Sequence, residues 1–147
     1  MKLKQLSLFL ENRPGELSRP VHLLAKAKIN ILTLSVADAR QFGVLRLIVK
    51  DWEKALKLLE KNHFVVQITD MVAIDVEDHP GGLAKVLEAI EAAAINVEYM
   101  YAFAVKREHK GMLVFRFNDP DKAVAAFRQK RINVIGPAEL VKRLGAP

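Results

Sequence analysis

The stretch Asn12-Arg13-Pro14-Gly15-Glu16-Leu17 returns 66 residues later as Asp78-His79-Pro80-Gly81-Gly82-Leu83. At the same offset, Ile29-Asn30-Ile31 returns as Ile95-Asn96-Val97. Self-similarity at a fixed spacing is the sequence signature of a duplicated structural unit. The chain is therefore expected to contain two copies of one small module.

The later part of each copy repeats at a slightly larger offset. Asp51 and Ala55 match Asp119 and Ala123, which lie 68 residues further along the chain. A length difference of two residues in the loop near residues 39–43 accounts for the change. We predict a first module at residues 1–69 and a second at residues 70–147.

Each copy has the pattern strand, helix, strand, strand, helix, strand. Every second residue is apolar at Leu6, Leu8 and Leu10, and again at Val72, Ile74 and Val76. This period of two is typical of a strand. Apolar residues at helical spacing predict helices over residues 17–27 and 83–94. Aspartates, which are favoured at helix N-caps, precede two further predicted helices at Asp51 and Asp119. Closing strands are predicted at residues 65–68 and 134–135.

This order of elements is that of the ferredoxin-like split βαβ unit, so the fold class is α+β. Each copy has fewer than 80 residues, and a module of that size has a thin core. We therefore expect the two copies, or two chains, to pair and bury more surface.

Composition limits the class of protein. Of the 147 residues, 51% are hydrophobic and 27% are charged, which indicates a folded globular chain. The absence of cysteine excludes disulfides, thiolate metal sites and cysteine nucleophiles.

The longest stretch without charge, Ile29 to Ala37, is too short to span a bilayer, and the polar N-terminus does not resemble a secretory signal. A cytoplasmic protein without membrane contact is expected.

The excess of positive charge lies in the first copy. Residues 1–69 contain 12 Lys and Arg against 6 Asp and Glu, whereas residues 70–147 contain 11 of each. No dense basic run occurs, which favours a solvated surface over a nucleic-acid interface. An RNA-recognition module has the same element order but stacks bases on aromatic residues of its third strand. Met112 and Val114 occupy those positions here, so RNA binding is the weaker alternative.

Known catalytic motifs are absent from the sequence. The four histidines lack metal-ligand spacing, and no GxxxxGK[ST], GxSxG or HExxH motif occurs. We predict that the chain is not an enzyme and carries no metal or cofactor.

The repeated turn has properties that suit a small anionic ligand. Pro14 and Pro80 bend the chain, and Gly15 and Gly81 allow a ligand or another backbone to approach closely. The following helix presents free N–H groups and a positive dipole end, which favour a carboxylate. Asn12 can both donate and accept hydrogen bonds. From the residues alone, the turn is either such a binding site or a connection that only the fold requires.

These motifs resemble those of the ACT domain, a regulatory amino-acid-binding module. The first copy is similar through residues 12–17 and 29–31, and the second through residues 78–83 and 95–97. The first turn is similar in particular to the serine-sensing ACT domain of phosphoglycerate dehydrogenase. The resemblance covers nearly the whole chain as two tandem modules.

The resemblance implies that modules pair side by side into an eight-stranded antiparallel sheet with helices on one face. It also implies that free amino acids bind between paired modules, at the Pro-Gly turns. The ligand-binding residues would then be Asn12, Arg13, Pro14, Gly15, Glu16, Leu17 and Asn30 in the first copy, and Asp78, His79, Pro80, Gly81, Gly82, Leu83 and Asn96 in the second.

The chain departs from the serine-sensing pattern. Leu10 and Val76 stand where those relatives have a histidine, and Asp78 replaces the turn asparagine. These differences leave the amino acid open, and they leave open whether both turns are occupied. Asn30 and Asn96 lie at the far end of the first helix of each copy, so a neighbouring module would have to bring them to a ligand.

We expect a non-catalytic regulatory protein that senses a free amino acid and acts through a homodimer or a regulated enzyme partner. The alternative is a protein-interaction module without a ligand, in which the turns are structural.

Overall fold

A computed structural model of the chain describes residues 1–144. The first copy contains β1 (Leu3–Glu11), α1 (Ser18–Lys26), β2 (Ile31–Ala39), β3 (Phe42–Val49) and α2 (Trp52–Lys61). A long strand, β4 (Val66–Glu77), follows. The rest of the chain forms α3 (Gly82–Ala92), β5 (Val97–Arg107), β6 (Lys110–Phe117), α4 (Pro120–Gln129), β7 (Val134–Ile135) and α5 (Pro137–Arg143).

The chain divides into two compact units. The first unit spans residues 4–69, and the second contains residues from 70 onward together with residues 1–3. Lys2 shows how the N-terminus joins the second unit, because its Nζ lies 2.9 Å from Asp121 Oδ1 and 3.8 Å from Asp70 Oδ2. These two carboxylates raise the pKa of the Lys2 ammonium, mainly through the hydrogen bond to Asp121.

In the first unit, β3 lies between β2 and β1, and both pairings are antiparallel. Alternate residues of β1 and β3 point to the side where α1 and α2 pack, as the period of a strand requires. Burying these apolar side chains contributes roughly 1.5–3 kcal/mol each. The core residues are Leu6, Leu8, Leu10, Leu24, Ile29, Leu45, Leu47, Val49, Ala55 and Leu59.

In the second unit, β6 lies between β5 and β4, and β4 also pairs with the short strand β7. All of these pairings are antiparallel. Its core is more aromatic, because the rings of Phe115 and Phe117 stack with centroids 5.2 Å apart and Phe127 of α4 packs beside them. The α+β class and the two ferredoxin-like repeats are thus confirmed.

One boundary differs from the prediction. The expected closing strand at residues 65–68 and the expected opening strand around Val72 are a single strand, β4. Residues 65–77 contain no glycine, proline or asparagine that would turn the chain between them. The described residues 1–144 therefore hold seven strands, where the paired modules were expected to supply eight.

The C-terminal helix α5 was not predicted. It is short, begins with Pro137, and buries Leu140, which is 1% exposed. Its Arg143 donates a hydrogen bond to Asp75 of β4. Asp75 lies between the core residues Ile74 and Val76 in the strand, so its side chain points to the opposite face of the sheet. Helix α5 therefore lies against the face of its sheet that α3 and α4 leave uncovered.

Candidate functional site

The first Pro-Gly turn connects the end of β1 to α1. Gly15 has a φ of +88°, a backbone conformation that favours glycine. Apart from Gly15 and its two chain neighbours, no heavy atom of the described residues lies within 4 Å of the place where a Cβ on Gly15 would stand. Pro14 and Leu17 are exposed on either side of it. The backbone of this turn is therefore accessible from outside the unit.

Asn12 anchors the first turn to the loop between β2 and β3. Its backbone N–H donates to the carbonyl of Gln41 at 2.8 Å, and its Nδ2 donates to the carbonyl of Arg40 at 3.2 Å. The side-chain amide is thus partly used by the fold, while the Asn12 side chain remains exposed.

Four alternating charges surround the first turn. Arg13 lies 3.0 Å from a carboxylate oxygen of Glu11 and 3.4 Å from one of Glu16. Glu16 also pairs with Arg19 of α1 at 3.1 Å, and its side chain is only 14% exposed. A carboxylate ligand that uses Arg13 would have to compete with Glu11 and Glu16 for it.

The second turn repeats this geometry with different side chains. Gly81 has a φ of +89°, and the space around its missing Cβ is also empty within 4 Å. The Asp78 N–H donates to the carbonyl of His109 at 2.8 Å, as Asn12 does to Gln41. His79 Nδ1 lies 2.9 Å from the carbonyl oxygen of Pro80. Pro80 and Leu83 are exposed like their counterparts.

Gly82 has a role that its counterpart Glu16 does not have. A Cβ on Gly82 would lie 1.9 Å from the carbonyl oxygen of Glu77 and 2.9 Å from its carbon. Real Cβ atoms do not approach backbone so closely, so only glycine fits at this position. Gly82 therefore serves close packing of α3 against the end of β4, which the sequence alone did not distinguish from ligand contact.

The helices at the two turns differ from the other helices of the repeat in their capping. Neither Leu17 before α1 nor Gly81 before α3 provides a side-chain cap. By contrast, Asp51 accepts a bond from the Lys54 N–H, and Asp119 accepts one from the Lys122 N–H, as predicted. The turn backbone takes some of the N-terminal amides instead, because the Gly82 N–H donates to the His79 carbonyl at 3.0 Å and the Arg19 N–H to the Gly15 carbonyl at 3.3 Å. Pro20, in the first turn of α1, has no N–H.

Asn30 and Asn96 lie beyond the C-terminal ends of α1 and α3. The carbonyl of Asn30 accepts from the Lys50 N–H at 3.4 Å, and the Asn96 N–H donates to Asn118 Oδ1 at 3.0 Å. Helix α1 has nine residues, which is about 13 Å at 1.5 Å per residue. Each asparagine is therefore kept apart from the turn of its own unit.

The sequence analysis did not predict a partly buried charge cluster in the second unit. Arg143 donates to both carboxylate oxygens of Asp75 at 2.6 and 2.9 Å, and Asn133 Nδ2 donates to Asp75 at 2.8 Å. Arg143 also bonds to Glu139. Burial alone would raise the pKa of Asp75, but these bonds and the nearby cations outweigh it, so the pKa lies below its usual range. The bond to Asp75 is the main cause that raises the pKa of Arg143.

Two other kinds of site were sought in the part of the chain that the structure describes. Residues 1–144 contain no group of His, Asp and Glu arranged to hold a metal ion. Among the same residues, no helix has the length and apolar character needed to cross a membrane.

Comparisons with known proteins extend these observations. The family model of the ACT domain pair matches residues 1–144. The sequence of protein BT0572 from Bacteroides thetaiotaomicron is 42% identical to this chain. Its crystal structure matches 97% of each chain with a TM-score of 0.90. No match was found among curated proteins.

Two more distant structures share the fold. The regulatory subunit of aspartate kinase from Thermus thermophilus is 18% identical over 89% of this chain and 92% of its own, with a TM-score of 0.64. The corresponding subunit from Thermus flavus is 17% identical over 88% and 92%, with a TM-score of 0.61. Because the family model spans both repeats and every described residue, this chain belongs to the ACT domain pair family.

Proposed function

We propose that this ACT domain pair is a non-catalytic regulator that binds a free amino acid at its Pro-Gly turns, between paired modules. The observation that carries the proposal is that no side chain caps the start of α1 or α3, beside a glycine with open space around it. Uncapped N–H groups and the positive helix end attract a carboxylate, which every free amino acid has.

The first turn is the better candidate of the two. Asn12 is a neutral amide, whereas Asp78 places a carboxylate at the equivalent position and would repel the carboxylate of a ligand. The ammonium group of an amino acid could pair with Glu11 or Glu16, both of which lie at the first turn. In this proposal, Asn30 and Asn96 contribute only if they come from a neighbouring module.

Regulation would follow from differential affinity. A ligand that contacts two modules stabilises the arrangement in which the complete site exists, and only this difference shifts the equilibrium between arrangements. The responding partner would be a second copy of the chain or an enzyme subunit.

Thermal unfolding in the presence of each of the twenty amino acids tests the proposal. A ligand that binds only the folded state adds about 2.7 kcal/mol at a hundredfold excess over Kd. We expect one amino acid, or one chemical class, to raise Tm, and we expect Asn12→Ala and Gly15→Val to reduce that rise.

Asp78→Ala is the matched control for Asn12→Ala at the second turn and should leave most of the rise intact. If no amino acid changes Tm, the turns are structural and the chain is a protein-interaction module. Phe9 and Phe42, which are 48% and 53% exposed on the first sheet, would then be the surface to test for a protein partner.

A further inference from the structure

Each unit contains a groove along its first helix. The groove of the first unit has a volume of about 300 Å³ and is lined by Arg19, His22, Leu23, Lys26, Asn62 and Phe64. The groove of the second unit has a volume of about 450 Å³ and is lined by Lys85, Glu88, Ala89, Ala92, Lys130 and Ile132.

The two grooves are the same place in the repeat. Four residues of α1 line the first groove, and the residues of α3 that lie 66 positions later line the second. Each groove is completed by two residues that follow the second helix of the unit, and these lie 68 positions apart. The fold therefore supplies this concavity twice, and only the side chains make the two grooves different.

The side chains of the first groove combine the positive charges of Arg19 and Lys26 with an apolar floor. Arg19, His22 and Lys26 have the spacing i, i+3, i+7, which places them on one stripe of α1. The guanidinium carbon of Arg19 lies 5.1 Å from the centre of the Phe64 ring, a cation–π distance. Leu23 and Phe64 supply the apolar surface between the charges.

The two cations of the first groove differ in their present partners. Arg19 already binds a carboxylate, that of Glu16 at 3.1 Å, and its side chain remains 58% exposed. The ion pairs formed within residues 1–144 do not include Lys26. In the second groove, by contrast, the carboxylate of Glu88 replaces His22, and Ala92 replaces Lys26.

We propose that the groove of Arg19, His22, Lys26 and Phe64 is a second ligand site, which binds a small organic carboxylate with an apolar body. The carboxylate pairs with Arg19 and Lys26, and the apolar body lies on Leu23 and Phe64. The volume lies at the lower end of the range for small-molecule sites, roughly 300–1,000 Å³, so the ligand is small. This site goes beyond the proposed amino-acid site and does not depend on it.

The test is a titration of the uniformly ¹⁵N-labelled full chain with benzoate at constant ionic strength, followed by amide chemical shifts. Acetate carries the charge without the ring, and benzyl alcohol carries the ring without the charge. We expect benzoate to shift amides at residues 19–26 and 62–64 along a saturating curve. Acetate lacks the apolar contact with Leu23 and Phe64, and benzyl alcohol lacks the charge that pairs with Arg19 and Lys26. Each should therefore bind at least about fivefold more weakly than benzoate.

Matched variants localise the effect. Lys26→Ala should weaken benzoate by about twofold to fivefold, the range that one exposed charge pair contributes. Lys85→Ala makes a similar change in the second groove and should leave the affinity unchanged. The double substitution Glu88→His with Ala92→Lys should create benzoate binding at residues 85–92.

Three results would overturn the proposal. The first is that benzoate and acetate bind equally well, since the groove would then attract anions only. The second is that Lys26→Ala leaves the benzoate curve unchanged. The third is that benzoate produces no saturable shifts in residues 19–26 of the folded wild-type chain.

Discussion

The two Pro-Gly turns have the same backbone at their glycines, yet the helices after them begin at different places. Helix α3 begins at Gly82, directly after Gly81, whereas α1 begins at Ser18, three residues after Gly15. Both helices open with the same hydrogen bond, from the Arg19 N–H to the Gly15 carbonyl at 3.3 Å and from the Lys85 N–H to the Gly81 carbonyl at 3.2 Å. The next bond cannot form in α1, because Pro20 has no N–H. The turns also differ at the position that follows the Pro-Gly pair. Gly82 lets the chain pass against the carbonyl of Glu77, but Glu16 has a Cβ that this path would not accommodate. Pro20 thus delays the start of α1, whereas Gly82 allows α3 to pack closely on the end of β4.

The sheet faces opposite the repeat helices also differ. The counterparts of Phe9 and Phe42 in the second copy are Asp75 and Lys110. Asp75 is held by α5 through Arg143. The first copy has no helix in this role, because its chain continues directly into β4. The same fold therefore leaves two exposed aromatic side chains in one unit and a helix bound by a buried ion pair in the other.

The largest effect is expected where the two turns differ most. Gly82→Ala places a Cβ against rigid backbone, and we expect it to lower the free energy of unfolding by about 3 kcal/mol, as overpacking does. Urea unfolding followed by far-UV circular dichroism measures this loss.

Glu16→Ala changes the equivalent position of the first turn and is the control. It removes the pairs to Arg13 and Arg19 but meets no steric barrier, so its cost should stay below about 1 kcal/mol. Equal losses in the two variants would contradict a packing role that Gly82 has and Glu16 lacks.

A smaller effect is expected from the ion pair that holds α5. Arg143→Ala removes the cation and leaves the carboxylate of Asp75 bonded to the neutral amide of Asn133. We expect this to lower the free energy of unfolding by about 2 kcal/mol at neutral pH. Lys142→Ala, an exposed neighbour in the same helix, is the control and should change stability little.

The pH dependence sharpens this prediction. The pKa of Asp75 is lowered from 3.8 in the folded chain. The pair therefore stabilises the fold fully above pH 3.8, and this contribution is lost as the pH falls through the lower folded pKa. The gap between wild type and Arg143→Ala should narrow in acid, and a gap that stays constant down to complete unfolding would contradict the assignment.

The smallest effects are expected at a feature that the copies share. Asp51→Ala and Asp119→Ala each remove an N-cap, and each should cost about 1 kcal/mol. Chemical denaturation of the two variants gives the comparison directly. Because the cap geometry is the same in both copies, a difference well above this value would show that the second helices are not equivalent.

Much of the fold could be predicted because its determinants are local. The duplication, the element order and the caps at Asp51 and Asp119 depend on residues close together in the sequence, and the structure confirms them. The assignment of ligand contacts to the turns remains a prediction, since the backbone geometry at Gly15 and Gly81 suits a ligand without identifying one.

By itself, the sequence determined that two ferredoxin-like repeats follow each other and where their turns fall, because alternation, capping and glycine geometry act over a few residues. Only the tertiary structure decided that residues 66–77 form one strand, that Gly82 packs on Glu77, and that Arg143 reaches Asp75. It also decided which side chains line the two grooves beside α1 and α3. These features depend on contacts between residues that are distant in the chain, or on space that only folding defines.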